Sequence, residues 1–479
     1  MHKKTKIIAT IGPASDSIPM IKKLYKSGMN VARLNFSHGT YEYFAQTIKN
    51  IRAVSDEITI MLDTKGPEIR TSKVETPVEL KLNQKITLSH NIKQFSTKEC
   101  IQLHYNHLFD VSKGNTILID DGAIAIEIQK VSKAKKQLEG KVISASTLSS
   151  NKTVSIHGHN VRLPFLSKKD KEDILFGIKH KVDVVAASFV RKHSEVQQLK
   201  KFLEQNKGEG IKIISKIEHG HALEEIDGII EESFGIMVAR GDLGVEIPIE
   251  KVPFIQERLI AMCNELGKPV IVATQMLESM KEHKTPTRAE VNDVAQAILQ
   301  GADCVMLSAE TANGKFPKES VEMMNTIALE YDPEVESYIA DNLRGDDERI
   351  KKATSLFVTK SAYYAAKELN AQAIIVPTET GYSARKVSRF KPEQPIYAVC
   401  RDMRVFRQLQ MSWGVVPSYH KSKYKDHYAM TSSIAKALFK KKLLNSEKKV
   451  VVVSGRITNR TGHTNTLEVF LVKNLVYKK

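Results

Sequence analysis

At 479 residues the chain is long enough for two to four domains, and its 42% hydrophobic and 27% charged residues exclude a disordered or fibrous protein. No stretch approaches the ~18 consecutive apolar residues of a membrane span, so an integral membrane helix is not expected. The net charge of +17 is uneven: residues 345–479 hold 26 Lys and Arg against 10 Asp and Glu, a net of +16, which points either to an anionic partner or to a solvated lysine-rich face.

The first residues, Met1 to Lys6, run straight into Ile7-Ile8-Ala9-Thr10-Ile11 without the apolar core or cleavage site of a secretory leader. Cys100, Cys263, Cys304 and Cys400 are widely separated and form no C-x-x-C pair. A reducing compartment, the cytoplasm, is therefore expected, with no zinc site and no disulfide framework. Short Val/Ile-rich runs ending in polar residues follow in series. They are 6–13, 30–38 and 59–66, then 182–189, 211–218, 235–242, 269–276 and 303–310. Continuous apolar runs without alternation fit strands buried on both faces of a parallel sheet. Helical patterns over 18–27, 194–206, 254–266 and 288–300 lie between them. Eight such strands predict a (β/α)8 barrel with polar residues gathered at the C-terminal strand ends, where such barrels build their sites.

Residues 67–162 interrupt this alternation and read as a β-rich insert. Thr116–Asp120 and Ala123–Val131 flank Asp121-Gly122, a hairpin signal, and Val78–Leu88 and Gly140–Ser146 add strand-like runs. Without the insert, 1–66 and 163–340 come to roughly the 250 residues of a barrel. The insert springs from the active-site rim and is placed to act as a lid. The pattern breaks into charged residues at Tyr338–Asp347, and 345–479 resumes as an α/β domain. Its expected strands are Ala373–Pro377, Pro395–Cys400, Val450–Ser454 and Leu467–Val472. Its expected helices are Lys352–Leu369, Ala384–Phe390 and Ala429–Lys442. Neither a P-loop nor G-x-G-x-x-G is present.

Lys216 and Glu218 close the fifth strand, and a spacing of two puts them on one side of it. Asp242, in Arg240-Gly241-Asp242, lies at the corresponding level one strand on. Glu218 and Asp242 could share Mg²⁺, with Lys216 stabilising an oxyanion beside it; the alternative is a buried structural Lys–Glu pair. Arg33 is a fork for phosphate or carboxylate. Asn35, Ser37, Asp63 and Thr64 offer oxygens either for a weakly held monovalent ion or for loop hydrogen bonds. Thr274 and Ser308 end the last two strands, where hydroxyls bind substrate, relay a proton or cap the next helix.

Taken together, Met29–Gly39 (MNVARLNFSHG), Leu62–Thr71 (LDTKGPEIRT), Ile214–Glu218, Val238–Glu246 (VARGDLGVE), Ala273–Met280 (ATQMLESM), and Gly301–Ser308 with Glu310–Ala312 resemble the pyruvate kinase family, in the family's order. Gly462–Thr466 extends the likeness to nearly the whole chain. The resemblance implies a TIM barrel with an inserted β-barrel lid and a C-terminal α/β regulatory domain. It implies phosphoryl transfer from phosphoenolpyruvate to ADP, giving pyruvate and ATP, the last step of glycolysis. By matching position, Arg33 holds the phosphate and Lys216 stabilises the transferring group and the enolate. Glu218 and Asp242 ligate Mg²⁺ (or Mn²⁺), while Gly241, Asp242 and Thr274 bind substrate. Asn35, Ser37, Asp63 and Thr64 hold K⁺, and Arg70 and Lys169 contact the nucleotide. Thr274 and Ser308 are candidates for a proton relay to the enolate. The resemblance also implies a homotetramer and a phosphorylated effector. Thr378, Thr380, Gly381 and Ser383, ahead of Arg385, Lys386 and Arg389, form the candidate effector loop. Glu68 in the Lys65–Arg70 segment marks, by the same resemblance, members that need K⁺; a lysine there supplies the charge instead. The chain departs from the family pattern at Ile156–Ser167, which lacks a glycine-rich segment, and at Ala309, where Gly is usual. Competing expectations are a metal-dependent barrel lyase with no ADP requirement and a nucleic-acid-binding protein built on the basic C-terminal third. Complete site blocks in the barrel favour phosphoryl transfer, with no membrane or nucleic acid among its partners.

Overall fold

The computed structural model describes residues 3–91, 93–159, 161–340, 354–421, 427–455 and 464–477. Eight strands close into a barrel: β1 Lys6–Thr10, β2 Met29–Asn35, β3 Thr59–Asp63, β4 Val184–Ala187, β5 Lys212–Ile217, β6 Gly235–Ala239, β7 Val270–Ala273 and β8 Cys304–Leu307. All eight neighbouring pairs are parallel, and β1 against β8 completes the ring. The lack of alternation in the sequence has a direct cause. Ile8, Val31, Met61, Val184, Ile214, Met237 and Ile271 fill the interior. Their neighbours Ile7, Ala32, Ile60, Val185, Ile213, Ile236 and Val270 pack under the surrounding helices. Local signals set the helix ends. Ser167 with Asp170 and Thr287 with Glu290 form capping boxes, and Gly267 at φ 64° stops Val252–Leu266 in the left-handed conformation.

After β3 the chain builds a seven-stranded sheet with its own apolar core. Its order is Ile69–Arg70, Thr153–His157, Thr116–Ile119, Ile124–Ser132, Gln137–Ser144, Lys85–Ser89 and Cys100–Gln102. The expected hairpin is present. Asp121 and Gly122 both have positive φ and the Ala123 N–H donates to the Asp120 carbonyl at 3.0 Å, a type I′ turn. The single strand expected over Val78–Leu88 is instead two. Val78–Glu79 pairs with Thr147–Leu148, and Lys85–Ser89 pairs with Gln137–Lys141. A turn with Asn83 at φ 64° separates them, and apolar Leu82 in it is exposed, which concealed the break.

The C-terminal sheet runs Val415–Tyr419, Ile396–Cys400, Ile374–Pro377, Lys449–Ser454 and Thr466–Leu471, the last antiparallel. Val415–Tyr419 was not expected, because Pro417 interrupts it; at the edge of the sheet a missing N–H is tolerated. The helix Met403–Leu409 was likewise not anticipated. Residues 341–347, the start of the helix predicted at Lys352, and Gly462 and His463 lie outside the described residues. This sheet's helices and loops close the N-terminal end of the barrel. Met411 and Trp413 join its cores, the Lys6 ammonium donates to the Val415 carbonyl at 2.6 Å, and Lys391, fully buried, pairs with Asp303 at 3.1 Å. The opposite end, where the strands terminate, faces the seven-stranded sheet. Among the described residues no helix is long and apolar enough to cross a membrane, and all four cysteines are free thiols.

Candidate active site

The strand ends of β2 to β6 bring one cluster of charge together. The Lys216 ammonium lies 2.7 Å from Glu218 Oε1, 3.2 Å from Asp63 Oδ1 and donates to Ser188 Oγ at 2.8 Å. Arg33 completes it from β2: its Nε donates to Asp63 Oδ2 at 2.6 Å and its Nη1 to Thr10 Oγ1 at 2.9 Å. Asp63 thus sits between two cations. Burial opposes its ionisation, but Arg33 and Lys216 outweigh it and hold the carboxyl below its ordinary range. Lys216 is also buried, and Asp63 and Glu218 keep it charged in spite of that.

Glu218 is different. Burial pushes its carboxyl up to about 7, and Asp242 adds repulsion that Lys216 only partly offsets. Partial desolvation against the rim likewise raises Asp242. Asp242 does not extend strand β6 but occupies the first turn of the helix Arg240–Glu246, which begins as soon as β6 ends. Glu218, buried, and Asp242, exposed at the cleft, are two carboxylates short of positive charge, a donor set that fits a hard divalent cation.

Asn35 and Asp63 are register partners on β2 and β3. The Asn35 Oδ1 accepts the Ser37 N–H at 3.1 Å, and Thr64 Oγ1 accepts the Ser188 N–H at 3.1 Å. The four expected monovalent-ion ligands therefore gather at two adjacent strand ends, with Asp63 already serving Arg33 and Lys216. Thr274 and Gln275 follow β7 with φ of 69° and 53°, left-handed values that are unfavourable for the β-branched Thr274. Arg240 Nη2 donates to the Thr274 carbonyl at 2.7 Å, and Thr274 Oγ1 accepts the Gly241 N–H at 2.8 Å, so the bend is held in place. Ser308 follows β8, where its N–H donates to Glu310 Oε2 at 2.7 Å.

Arg70 and Lys169 lie apart from this cluster. Arg70 donates through Nε to Glu68 Oε2 at 2.8 Å and through Nη1 to the Asn151 carbonyl at 2.7 Å. Lys169 rests on the Asp173 carboxylate and over the rings of Tyr41 and Phe36. Of the candidate effector residues, Thr378, Thr380 and Gly381 form a loop, and Ser383 lies in the first turn of the helix Tyr382–Ser388. The Gly381 N–H donates to Thr378 Oγ1 at 3.0 Å, Ser383 Oγ lies 2.6 Å from Thr464 Oγ1, and the Thr380 carbonyl accepts Arg385 Nη1 at 3.2 Å. Two basic residues expected to face an anion also engage the barrel. Lys386 donates to the Leu266 carbonyl at 2.6 Å, and the Arg385 guanidinium lies over the Phe234 ring.

Three rim residues escaped the sequence reasoning: Ser188, Phe189 and Arg191. Ser188 donates to the Thr64 carbonyl at 2.6 Å besides receiving Lys216, and the Phe189 N–H donates to Glu218 Oε2 at 2.6 Å from a left-handed backbone. For Ser188 the available signal was the polar end of the run 182–189, the same signal that marked the other strands; Phe189 and Arg191 carried none of it.

A cleft between the β-rich sheet and the rim is lined by Asp121 and Thr153 on one side and by Glu218, His219, Asp242 and Glu246 on the other. Burial, with His221 and Arg191 nearby, pushes His219 down to about 4, so the imidazole is neutral at physiological pH.

Comparison with known proteins accords with this geometry. Residues 2–321 match the family model "Pyruvate kinase, barrel domain", and residues 357–470 match "Pyruvate kinase, alpha/beta domain". The chain is 41% identical to a pyruvate kinase of Geobacillus stearothermophilus, over 100% of this chain and 82% of that protein. It is 40% identical to a pyruvate kinase of Bacillus licheniformis, over 99% and 82%. A crystal structure of a pyruvate kinase from Cryptosporidium parvum superposes with a TM-score of 0.92 at 36% identity, covering 98% of this chain and 96% of that one. With the barrel, the C-terminal sheet and the rim motifs all matched, the chain belongs to the pyruvate kinase family.

Proposed function

We propose that the cluster around Lys216 transfers the phosphoryl group of phosphoenolpyruvate to ADP, the activity that family membership assigns to the chain. The observation that carries the residue assignment is the buried Lys216 ammonium, set between Asp63 and a carboxylate pair short of positive charge. Phosphoryl transfer is mostly positioning and charge neutralisation, and this rim is built for both. Arg33, oriented by Asp63 and Thr10, binds the phosphate. Lys216 stabilises charge on the transferring oxygens and on the enolate oxygen left behind. Gly241, once its N–H releases Thr274 Oγ1, and Asp242 offer backbone N–H groups at the start of a helix to the substrate carboxylate, with Thr274 beside them. Glu218 and Asp242 would hold Mg²⁺ or Mn²⁺, which when bound supplies the positive charge the two carboxylates lack. Asn35, Ser37, Asp63 and Thr64 would hold K⁺. Arg70 and Lys169 meet the nucleotide after exchanging their present partners, and Thr274 and Ser308 are the candidates for a proton relay to the enolate.

The division into a barrel of 1–66 and 163–340, a lid of 67–162 and a regulatory domain of 345–479 belongs to the same proposal. So do a cytoplasmic homotetramer and a phosphorylated effector at Thr378, Thr380, Gly381 and Ser383. The deciding experiment measures pyruvate formation from phosphoenolpyruvate and ADP, omitting ADP, Mg²⁺ and K⁺ in turn. Activity that persists without ADP would instead favour a lyase.

A further inference from the structure

We propose that Arg191 is a positioning residue that clamps the returning arm of the β-rich layer to the barrel rim and so fixes the cleft in which transfer occurs. Its kinetic consequence rests on the transfer activity proposed above; the clamp itself does not.

Arg191 lies four residues beyond β4, and its guanidinium is held on both sides. Glu195 Oε1 receives Nε at 3.2 Å and Nη2 at 2.7 Å, while Glu195 Oε2 receives the Arg191 backbone N–H at 2.7 Å. The outward donors go to the arm: Nη1 to the Val161 carbonyl at 2.7 Å and Nη2 to the Leu163 carbonyl at 2.8 Å. Val161 and Leu163 in turn pack their side chains against the core of the β-rich layer. One end of the fork is therefore fixed to the barrel helix His193–Gln205 and the other to the layer. A planar guanidinium satisfies two carbonyls at once, which a single ammonium on a flexible stem does not match.

The clamp is wired to the site through its own loop. Two residues before Arg191, the Phe189 N–H donates to Glu218. A second attachment, the His157 imidazole on the Val245 carbonyl, ties the strand ahead of this arm, Thr153–His157, to the helix that carries Asp242. An arm that lifts thus disturbs the backing of Glu218 and opens the cleft to solvent. Water then competes as acceptor. The P–O bond to the enol oxygen breaks as in transfer, but the new bond forms to a water oxygen instead of an ADP phosphate oxygen. The water proton goes to solvent, the enolate takes up a proton, and the products are inorganic phosphate and pyruvate.

Arg191→Met, which keeps the stem and loses the fork, and Arg191→Lys test this. In the ligand-free protein, amide exchange over residues 161–167 should accelerate in R191M by about tenfold or more, the scale of one lost charge-assisted hydrogen bond, with β5 and β6 unaffected. In turnover, the ratio of phosphate released to ATP formed should rise in R191M and the KM for ADP should rise more than that for phosphoenolpyruvate. R191K should fall between R191M and the wild type. Unchanged exchange at 161–167 would overturn the clamp. So would exchange rising throughout the barrel together with a lower Tm, since that marks a purely structural arginine. If the arm loosens as expected but the wild type forms no pyruvate from phosphoenolpyruvate and ADP, the clamp stands and the transfer assignment fails.

Discussion

Replacing Lys216 with Met removes one of two cations from a cluster of three carboxylates, Asp63 and Glu218 buried and Asp242 exposed at the cleft. Arg33 remains, committed to Asp63 and Thr10, so Asp63 keeps its charge. Glu218 and Asp242 lose their nearest positive neighbour. Burial already raises Glu218, and without the ammonium it moves further up and takes up a proton more readily. That proton uptake limits the destabilisation expected from breaking a buried pair, so the variant should stay folded. It also weakens cation binding, which separates two contributions to the rate. At modest Mg²⁺ the variant loses both metal and the Lys216 charge; at a Mg²⁺ plateau only the missing charge remains. Loss of one central electrostatic stabiliser costs on the order of 10²–10³ in turnover. Pyruvate formation should therefore be measured across a Mg²⁺ titration, alongside phosphoenolpyruvate binding, which should be largely retained. Turnover within tenfold of the wild type at the Mg²⁺ plateau would refute the assignment, as would a deficit that metal alone restores.

Glu68→Lys should weaken activation by K⁺ relative to a bulky organic cation at equal ionic strength. Because Glu68 holds Arg70 at 2.6 Å and Lys65 at 3.7 Å, Glu68→Gln is the control that frees Arg70 without adding an ammonium. Equal rates for the wild type in both salts would end that line of reasoning. Thr378→Ala with Ser383→Ala should abolish any shift in activity or Tm produced by a panel of sugar phosphates and nucleotides; a panel with no effect on the wild type would leave the loop an ordinary strand–helix turn. Burial pushes Lys386 from 10.5 down to about 7, so between those values the unfolded chain binds more protons than the folded one and stability rises with pH. The Tm of the wild type relative to Lys386→Met should accordingly climb from pH 7 toward pH 10, and a difference independent of pH would contradict it.

The barrel was legible in the sequence because its cause is local. Each strand is buried on two faces, so each is a short unbroken apolar run, and polar residues mark the end where burial stops. The hairpin at Asp121-Gly122 was legible for a similar reason, since only certain residues accept two successive positive φ values. Local pattern failed where tertiary packing set the outcome. Leu82 continued an apolar run yet lies exposed in a turn, and Pro417 sits in a strand that only its place at the sheet edge permits. At the site, the residue types at the strand ends could be read from the chain, but not which would touch. Lys216 reaches Asp63 and Ser188 because closing the barrel brings the ends of β3, β4 and β5 side by side. Arg191 reads as one more surface cation until the carbonyls of Val161 and Leu163 arrive beneath it. Lys386 likewise reads as part of a basic helix, yet donates to a barrel carbonyl 120 residues away in sequence. Backbone carbonyls carry no residue identity, so partners of this kind exist only once the chain has folded.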